Sequence, residues 1–227
     1  QSFLNHTDEK VALYENLSRT LRAFGTSSLL DVGDGNGDLS IPLAKVVKRY
    51  VTLEQKDDYA QQLRNAGLEV IHASFPCEIA ERFDAILFSH SLPYYPKGAG
   101  GWESFVTAAW SYLTKHGRLL IVIFEDEDSE WNDLVENSGL KVAAPRDKRL
   151  EPLLEYLRSF GMAKLSTITT HVRTNALKDM MQALAFVWSD GKAEEVKPFI
   201  AQKSIAEHLE TRYRTDIGYS FPFHHYL

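Results

Sequence analysis

The sequence predicts an α/β fold, a doubly wound, Rossmann-like parallel sheet with helices on both faces and a small C-terminal elaboration. Three observations carry this. Short apolar runs alternate with amphipathic helical runs between Ser28 and Phe124. A glycine-rich turn, Gly33-Asp34-Gly35-Asn36-Gly37, follows the first apolar run. An acid, Glu54, ends the second run 21 residues after Gly33.

The elements follow in order. Residues 8–24 carry Val11, Leu13, Tyr14, Leu17, Leu21 and Phe24 on one helical stripe, with Gly25 as the stop. Ser28–Val32 is a short buried strand. The glycine turn leads into a helix over Leu39–Arg49. Tyr50–Leu53 is the second strand, Asp57–Ala66 a helix closed by Gly67, and Glu69–His72 the third strand. Phe83–Phe88 is the fourth strand, breaking at Ser89, His90 and Ser91. A loop rich in Pro and Gly precedes a helix over Trp102–Lys115, closed by His116-Gly117. Arg118–Phe124 is apolar enough for a strand buried on both faces. Beyond it come a helix over Leu150–Phe160, a β-branched strand over Leu165–Arg173, helices over Asn175–Trp188 and Lys192–Tyr213, and a last strand approached from Tyr219.

Composition excludes several classes. With 227 residues, 44% apolar and 25% charged, the chain can bury a core, and it is not a disordered or collagen-like sequence. Its 25 basic and 31 acidic residues give a net charge of −6, with no basic excess for phosphates, so nucleic acid is not an expected partner. No apolar run reaches the roughly 18 residues of a membrane span, and no signal peptide is visible. A cytoplasmic protein that does not engage membranes is expected. The single cysteine, Cys77, excludes an internal disulfide and a thiolate zinc site and reads as structural.

In a doubly wound sheet, ligands bind beyond the C-terminal ends of the strands. The chemistry is therefore expected after Val32, Leu53, His72, Phe88 and Phe124. The glycine turn permits close approach of backbone to a ligand. Its third glycine is Gly37, so the spacing is not that of a dinucleotide fingerprint. The turn also carries Asp31, Asp34 and Asp38, a poor cradle for a pyrophosphate. These carboxylates suit a ligand with cationic groups and no phosphate. S-adenosylmethionine, with a sulfonium, an ammonium and a bare ribose, is such a ligand, and Glu54 is placed to accept bonds from ribose hydroxyls.

At this point the chain resembles the class I S-adenosylmethionine-dependent methyltransferases over about residues 28–125. LLDVGDGNG is similar to their first motif, TLEQ to their ribose-binding acid, FDAILFSHSL to their fourth-strand motif and HGRLLIVIF to their fifth strand. The resemblance implies one domain over residues 1–227. Residues 25–125 or so form the cofactor-binding core, and 1–24 and 126–227 a substrate cap and the remaining sheet. It implies cofactor contacts at Asp31, Gly33, Asp34, Gly35, Gly37, Glu54, Gln55 and Ser89, with adenine against Ala73, Ser74 and Phe75. S-adenosylhomocysteine would be the product.

The flanks resemble the histamine N-methyltransferase-like small-molecule enzymes. Phe3-Leu4-Asn5-His6 precedes Glu9, which matches their amine-binding glutamate. His90 stands where they carry a glutamine, and Tyr94-Tyr95 matches their tyrosine pair. Trp131 follows the fifth strand as in that group, and His224 and His225 stand where they carry an amide. The resemblance thus implies acceptor contacts at Glu9, His90, Tyr94, Tyr95, Trp131, His224 and His225, with a small acceptor other than histamine and a monomeric state by analogy.

Chemically, Glu9 could pair with an ammonium, Tyr94 and Tyr95 could face it as cation–π partners, and His90 could orient the nucleophile or take its proton. Glu9 could equally complement a helix dipole. The acidic run Glu125-Asp126-Glu127-Asp128 reads as a solvated loop, and no second acid cluster completes a metal site, so no metal is expected. The expected function is methyl transfer to nitrogen or oxygen of a small polar molecule, amine- or imidazole-bearing. The alternative is attack on the aminobutyrate arm of the same cofactor, by cyclisation, elimination or aminocarboxypropyl transfer, releasing methylthioadenosine. A binding module without turnover is a third reading.

Overall fold

The structure is a computed structural model and describes residues 6–92, 101–124, 130–138, 150–189 and 193–227. In chain order its first elements are α1 (Glu9–Ala23), β1 (Ser28–Val32), α2 (Ser40–Leu43), β2 (Arg49–Glu54), α3 (Asp57–Asn65), β3 (Glu69–His72) and β4 (Phe83–Ser89). Then come α4 (Gly101–Ser111), β5 (Leu113–Phe124), α5 (Glu130–Ser138), α6 (Leu150–Phe160) and β6 (Thr167–Thr174). The last are α7 (Leu177–Ser189), α8 (Ala193–Ile200), α9 (Lys203–Arg212), β7 (Arg214–Thr215) and β8 (Gly218–Tyr226). The chain divides into two compact units, one of residues 10–124, 153–168 and 226–227, the other of residues 1–9, 125–152 and 169–225.

The first unit holds a parallel run of strands in the order β3-β2-β1-β4-β5. The chain steps outward from β1 to β3 and then crosses to β4 on the other side of β1, which makes a topological switch point between β1 and β4. The register pairs Val32 with Leu53, Glu54 with His72 and Ser89 with Val122. The C-terminal ends of β1, β2, β3 and β4 therefore form one edge, as the alternation of elements predicts.

Side-chain alternation assigns the helices to faces. Leu29 and Leu87 join Leu13, Leu17 and Leu21 of α1 and Leu43 of α2 in one buried cluster. Phe88, on the opposite face, meets the edge of Phe75 at 5.6 Å, and Phe75 in turn meets Phe105 of α4 at 6.1 Å. Helices cover both faces, as expected for this class. The far end of the strands is fastened by Asp84. Its Oδ2 accepts the backbone N–H groups of Ser27 and Ser28, both at 3.1 Å, and its own N–H donates to Ser28 Oγ at 3.0 Å.

Several elements depart from the sequence reading. The helix expected over Leu39–Arg49 is only Ser40–Leu43, because Pro42 has no N–H to donate and the following turns tighten to Lys45 N–H→Pro42 O and Val46 N–H→Leu43 O. The helix expected to reach Lys115 stops at Ser111, where the Arg82 guanidinium caps the carbonyls of Ser111 and Leu113. Leu113 already pairs with Phe83, and an irregularity follows before Ala85 pairs with Arg118, so β5 absorbs residues 113–117. The helix expected over Lys192–Tyr213 is two, broken at Ala201 and Gln202 just after Pro198. The two-residue strand β7, antiparallel to β8, was not anticipated.

In the second unit, Trp131 is packed among Phe199, Phe221 and Phe223, with ring centroids 5.7–6.4 Å apart. Residues 6–8 lie along β6. Asp8 accepts from the His171 N–H and the Arg173 guanidinium, each at 2.6 Å, and Arg173 N–H donates to the His6 carbonyl. Gly218 has φ +144°, and a Cβ there would lie 2.1 Å from the Thr174 carbonyl oxygen, so the entry to β8 requires glycine. Among the described residues no helix is long and apolar enough to cross a membrane.

The Asp84 fastening is open to test. Asp84→Ala leaves two backbone donors unsatisfied and is expected to cost about 2–3 kcal/mol. Urea unfolding would read this as a lower midpoint with an unchanged slope, and an unchanged midpoint would remove Asp84 from this role.

Candidate functional site

The glycine turn is built on the ends of β1 and β2. Gly33 N–H donates to the Leu53 carbonyl at 2.8 Å. Glu54, the last residue of β2, is 5% exposed, and both its carboxylate oxygens are engaged. Oε2 accepts Gly35 N–H at 2.9 Å and Oε1 accepts Lys56 N–H at 2.8 Å. A carboxylate oxygen has two acceptor sites, so each oxygen keeps one. Gly37 has φ +86°, a backbone conformation in which any other side chain would be strained, and it packs against the Leu63 and Ile41 side chains.

Asp31 and Asp34 point beneath this turn. Asp31 is 2% exposed. Its Oδ2 accepts the Tyr50 hydroxyl at 2.5 Å, while its Oδ1 has no partner. Asp34 is buried beside the hydroxyls of Ser40 and Thr52, which interact with its carboxylate without closing short hydrogen bonds. A small cavity, with room for about one water at 20 Å³, is lined by Lys10, Asp31, Asp34, Asn36, Leu39 and Ser89.

The electrostatics follow from burial. Desolvation first, and then the charge of Asp34, push the Asp31 carboxyl well above the ordinary range, although the Tyr50 hydroxyl and Lys10 act against this. Desolvation also pushes Asp34 up to about 6, with Glu54 adding to it and the Ser40 and Thr52 hydroxyls and Lys10 drawing it back. Burial, and then the Asp31 and Asp34 charges, hold Tyr50 well above its ordinary value, so it remains a donor.

The structure gathers most of the cofactor-side residues at one strand edge. Asp31, Gly33, Asp34, Gly35, Gly37 and Glu54 form the turn and its anchor, and Ser89 closes β4 beside the cavity. Gln55 and Ser74 meet through a bond from Ser74 Oγ to Gln55 Oε1 at 3.1 Å, with Ala73 beside them after β3. His90 follows β4, has φ +57°, and donates its N–H to the Val122 carbonyl at 2.9 Å. A left-handed non-glycine residue at a strand end is uncommon and tends to mark functional sites.

The other expected site residues lie in the second unit or outside the described residues. Glu9 opens α1 and donates its N–H to Thr7 Oγ1 at 3.1 Å, so the helix cap is Thr7. Within that unit a Glu9 carboxylate oxygen and a His225 ring nitrogen lie within 4.8 Å of each other. His225 is fully buried, with Nε2 3.0 Å from Thr170 Oγ1. His224 is held at both ring nitrogens, Nδ1 3.0 Å from Thr169 Oγ1 and Nε2 2.9 Å from Glu130 Oε2. Trp131 is 4% exposed in the aromatic core already described. Tyr94 and Tyr95, and the acidic run Glu125–Asp128, lie outside the described residues.

Sequence reasoning missed Lys10, Tyr50, Ser40 and Thr52. The last three had a usable signal, since each is a polar residue inside an otherwise apolar run.

No family model matches the sequence, and no curated protein matches it. Solved structures do match. A candidate methyltransferase from Bacillus halodurans superposes with a TM-score of 0.59, covering 92% of this chain and 95% of that one at 18% identity. The YcgJ protein of Bacillus subtilis gives 0.59, with 94% and 96% coverage at 14% identity. A SAM-dependent methyltransferase from Thiobacillus denitrificans, solved with S-adenosyl-L-homocysteine, gives 0.54, with 96% and 90% coverage at 15% identity. These likenesses establish the fold, a mixed α/β Rossmann-like arrangement.

The cost of the buried acid is measurable. Asp34 titrates near 6 in the folded chain against about 4 unfolded, so its stabilising protonated form is complete below about pH 4 and lost as pH rises through 6. Asp34→Asn is therefore expected to stabilise the ligand-free protein by about 1–3 kcal/mol at pH 7.5 and to give no gain at pH 4. Urea unfolding at the two pH values checks this, and equal stability at pH 7.5 would contradict it.

Proposed function

We propose that this chain transfers a methyl group from S-adenosylmethionine to nitrogen or oxygen of a small polar acceptor, amine- or imidazole-bearing. One observation carries the reading: buried carboxylate is concentrated at the glycine turn on the switch-point edge of the sheet, with Asp31 Oδ1 and both Asp34 oxygens unmatched. Such a set of acceptors disfavours phosphate and favours a cation-bearing ligand without one. Solved structures of the same fold include proteins named as methyltransferases, and one of them holds S-adenosylhomocysteine.

When bound, S-adenosylmethionine supplies a methyl group on a sulfonium, open to in-line displacement. The chain's own part is positioning. Glu54 keeps one acceptor site on each oxygen for ribose hydroxyls, in an orientation fixed by the Gly35 and Lys56 N–H groups. Gly33 and Gly35 allow the backbone to approach, Gln55, Ala73 and Ser74 border the adenine side, and Ser89 closes the methionine side. Glu9 is assigned to the acceptor's positive charge, in line with the likeness of the FLNH stretch to the histamine N-methyltransferase-like enzymes. His90 is assigned to orienting the nucleophile or taking its proton. Alignment of this kind supplies about 7–11 kcal/mol of a barrier, so strong acid–base catalysis is not required.

Mass spectrometry of S-adenosylmethionine incubated with the protein and a panel of small amines and imidazoles tests the reading. S-adenosylhomocysteine is expected only when an acceptor is present, and methylthioadenosine formed without one would sink the proposal. Glu54→Ala should weaken cofactor binding by about 1–3 kcal/mol in calorimetry, and unchanged affinity would remove the ribose contact. Glu9→Gln should raise acceptor KM with little change in cofactor affinity, and an unchanged KM would take Glu9 out of the acceptor site.

A further inference from the structure

Both ring nitrogens of His224 are engaged, and the two partners differ in kind. Nδ1 lies 3.0 Å from Thr169 Oγ1, and Nε2 lies 2.9 Å from Glu130 Oε2. A carboxylate only accepts, so Nε2 carries the imidazole proton and Nδ1 presents its lone pair. Thr169 is therefore the donor, with its O–H directed at Nδ1. These are the two contacts of an activated nucleophile, hydroxyl to base and base to an orienting acid.

The surroundings hold each member in place. Thr169 of β6 and His224 of β8 stand on neighbouring strands, and threonine is stiff at χ1, so the strand sets the direction of the hydroxyl. Glu130 opens α5. The other acid in the first turn of that helix, Asp133, is taken up by α9, where it accepts from the Arg212 guanidinium and lies 3.5 Å from His208 Nε2. Glu130 is left to face His224. Thr169 is exposed, while the His224 side chain is only 22% exposed. The hydroxyl thus meets solvent, and the base behind it is largely covered.

We propose that Thr169, His224 and Glu130 form an acyl-accepting site that acts on activated esters of small carboxylic acids, with Thr169 as the nucleophile. Thr169 Oγ1 forms a bond to the acyl carbon, and the bond from that carbon to the leaving oxygen or sulfur breaks. The hydroxyl proton passes to His224 Nδ1, which hands it to the departing group. Water then attacks the acyl carbon, its proton passes through Nδ1 to Thr169 Oγ1, and the free acid leaves. Glu130 is a positioning residue, which accepts the Nε2–H throughout and faces the imidazolium while it exists. General-base help of this kind supplies about 10²–10⁴-fold, enough for a departing phenol or thiol but not for the amine of an amide. Neither S-adenosylmethionine nor an acceptor amine takes part, so this activity stands or falls separately from methyl transfer.

The probe is p-nitrophenyl acetate, incubated with the full chain and quenched in acid. Peptide mass spectrometry should find an acetyl group on Thr169, and nitrophenol release should be about a hundredfold faster than in Thr169→Val. Thr169→Ser keeps the hydroxyl and should keep the reaction, while Glu130→Gln should slow it about tenfold or more. Nitrogen NMR of the His224 ring in mildly alkaline buffer gives a readout independent of rate. Nδ1 should resonate as an unprotonated nitrogen, and this fixed tautomer should be lost in Glu130→Gln. Acetyl groups on lysines alone, an equal rate in Thr169→Val, or a full rate in Glu130→Gln would each overturn the proposal. So would a protonated Nδ1, because Thr169 would then accept from the ring and lose its base.

Discussion

The Glu54 carboxylate accepts the N–H of Gly35 with one oxygen and the N–H of Lys56 with the other, and beside it Gly33 donates to the Leu53 carbonyl. These bonds tie the turn after β1 to the end of β2, and the candidate site depends on them. Gly33, Gly35 and Gly37 all have positive φ, a segment with much conformational freedom to lose on folding. Main-chain bonds to a buried charged acceptor, each in the range of about 1.5–3 kcal/mol, offset that loss. These bonds hold the donors and acceptors around the turn in fixed directions.

The same region works against the stability of the fold. Burial pushes both Asp31 and Asp34 upward, with the Asp34 charge adding to it at Asp31 and the Glu54 charge at Asp34, and the partners they have cover only part of the cost. Tyr50 satisfies one Asp31 oxygen, while the unmatched oxygens remain. An apolar turn residue at position 34 would remove the penalty. This is the pattern of a destabilised site held in place by a well-packed scaffold. The scaffold here is the leucine cluster of α1 against β1 and β4, together with the Asp84 staple at the opposite strand ends.

Much of this was legible in the sequence because it is local. The β1 and β3 boundaries, the α6 boundaries and the Glu54 spacing follow from apolar period and turn residues alone. Features that depend on distant partners were not legible. Nothing near Ser111 announces that Arg82 caps its carbonyl, so the end of α4 was placed too late. The effect of Pro42 was readable, since a proline so early in a helical run leaves the next turn to tighten. The break between α8 and α9 had a signal in Pro198, although the apolar spacing ran straight through it. Tyr50 and Thr52 of β2 and Ser40 of α2 converge on the acids beneath the turn only once those two elements are packed together.

The two C-terminal histidines differ in what they can contribute. His224 has both ring nitrogens engaged, one with Thr169 Oγ1 and the other with Glu130 Oε2. To contact a polar substrate atom it would have to give up one of these bonds, so its chemistry is that of a braced side chain. His225 is buried on β8 with Nε2 against Thr170 and a carboxylate oxygen of Glu9 within 4.8 Å of a ring nitrogen. Its ring is therefore enclosed by the fold and is not a surface ligand. His90 differs again, since a left-handed backbone conformation in a residue that is not glycine is kept only when the surroundings over-determine it. Its N–H bond to Val122 is one such constraint.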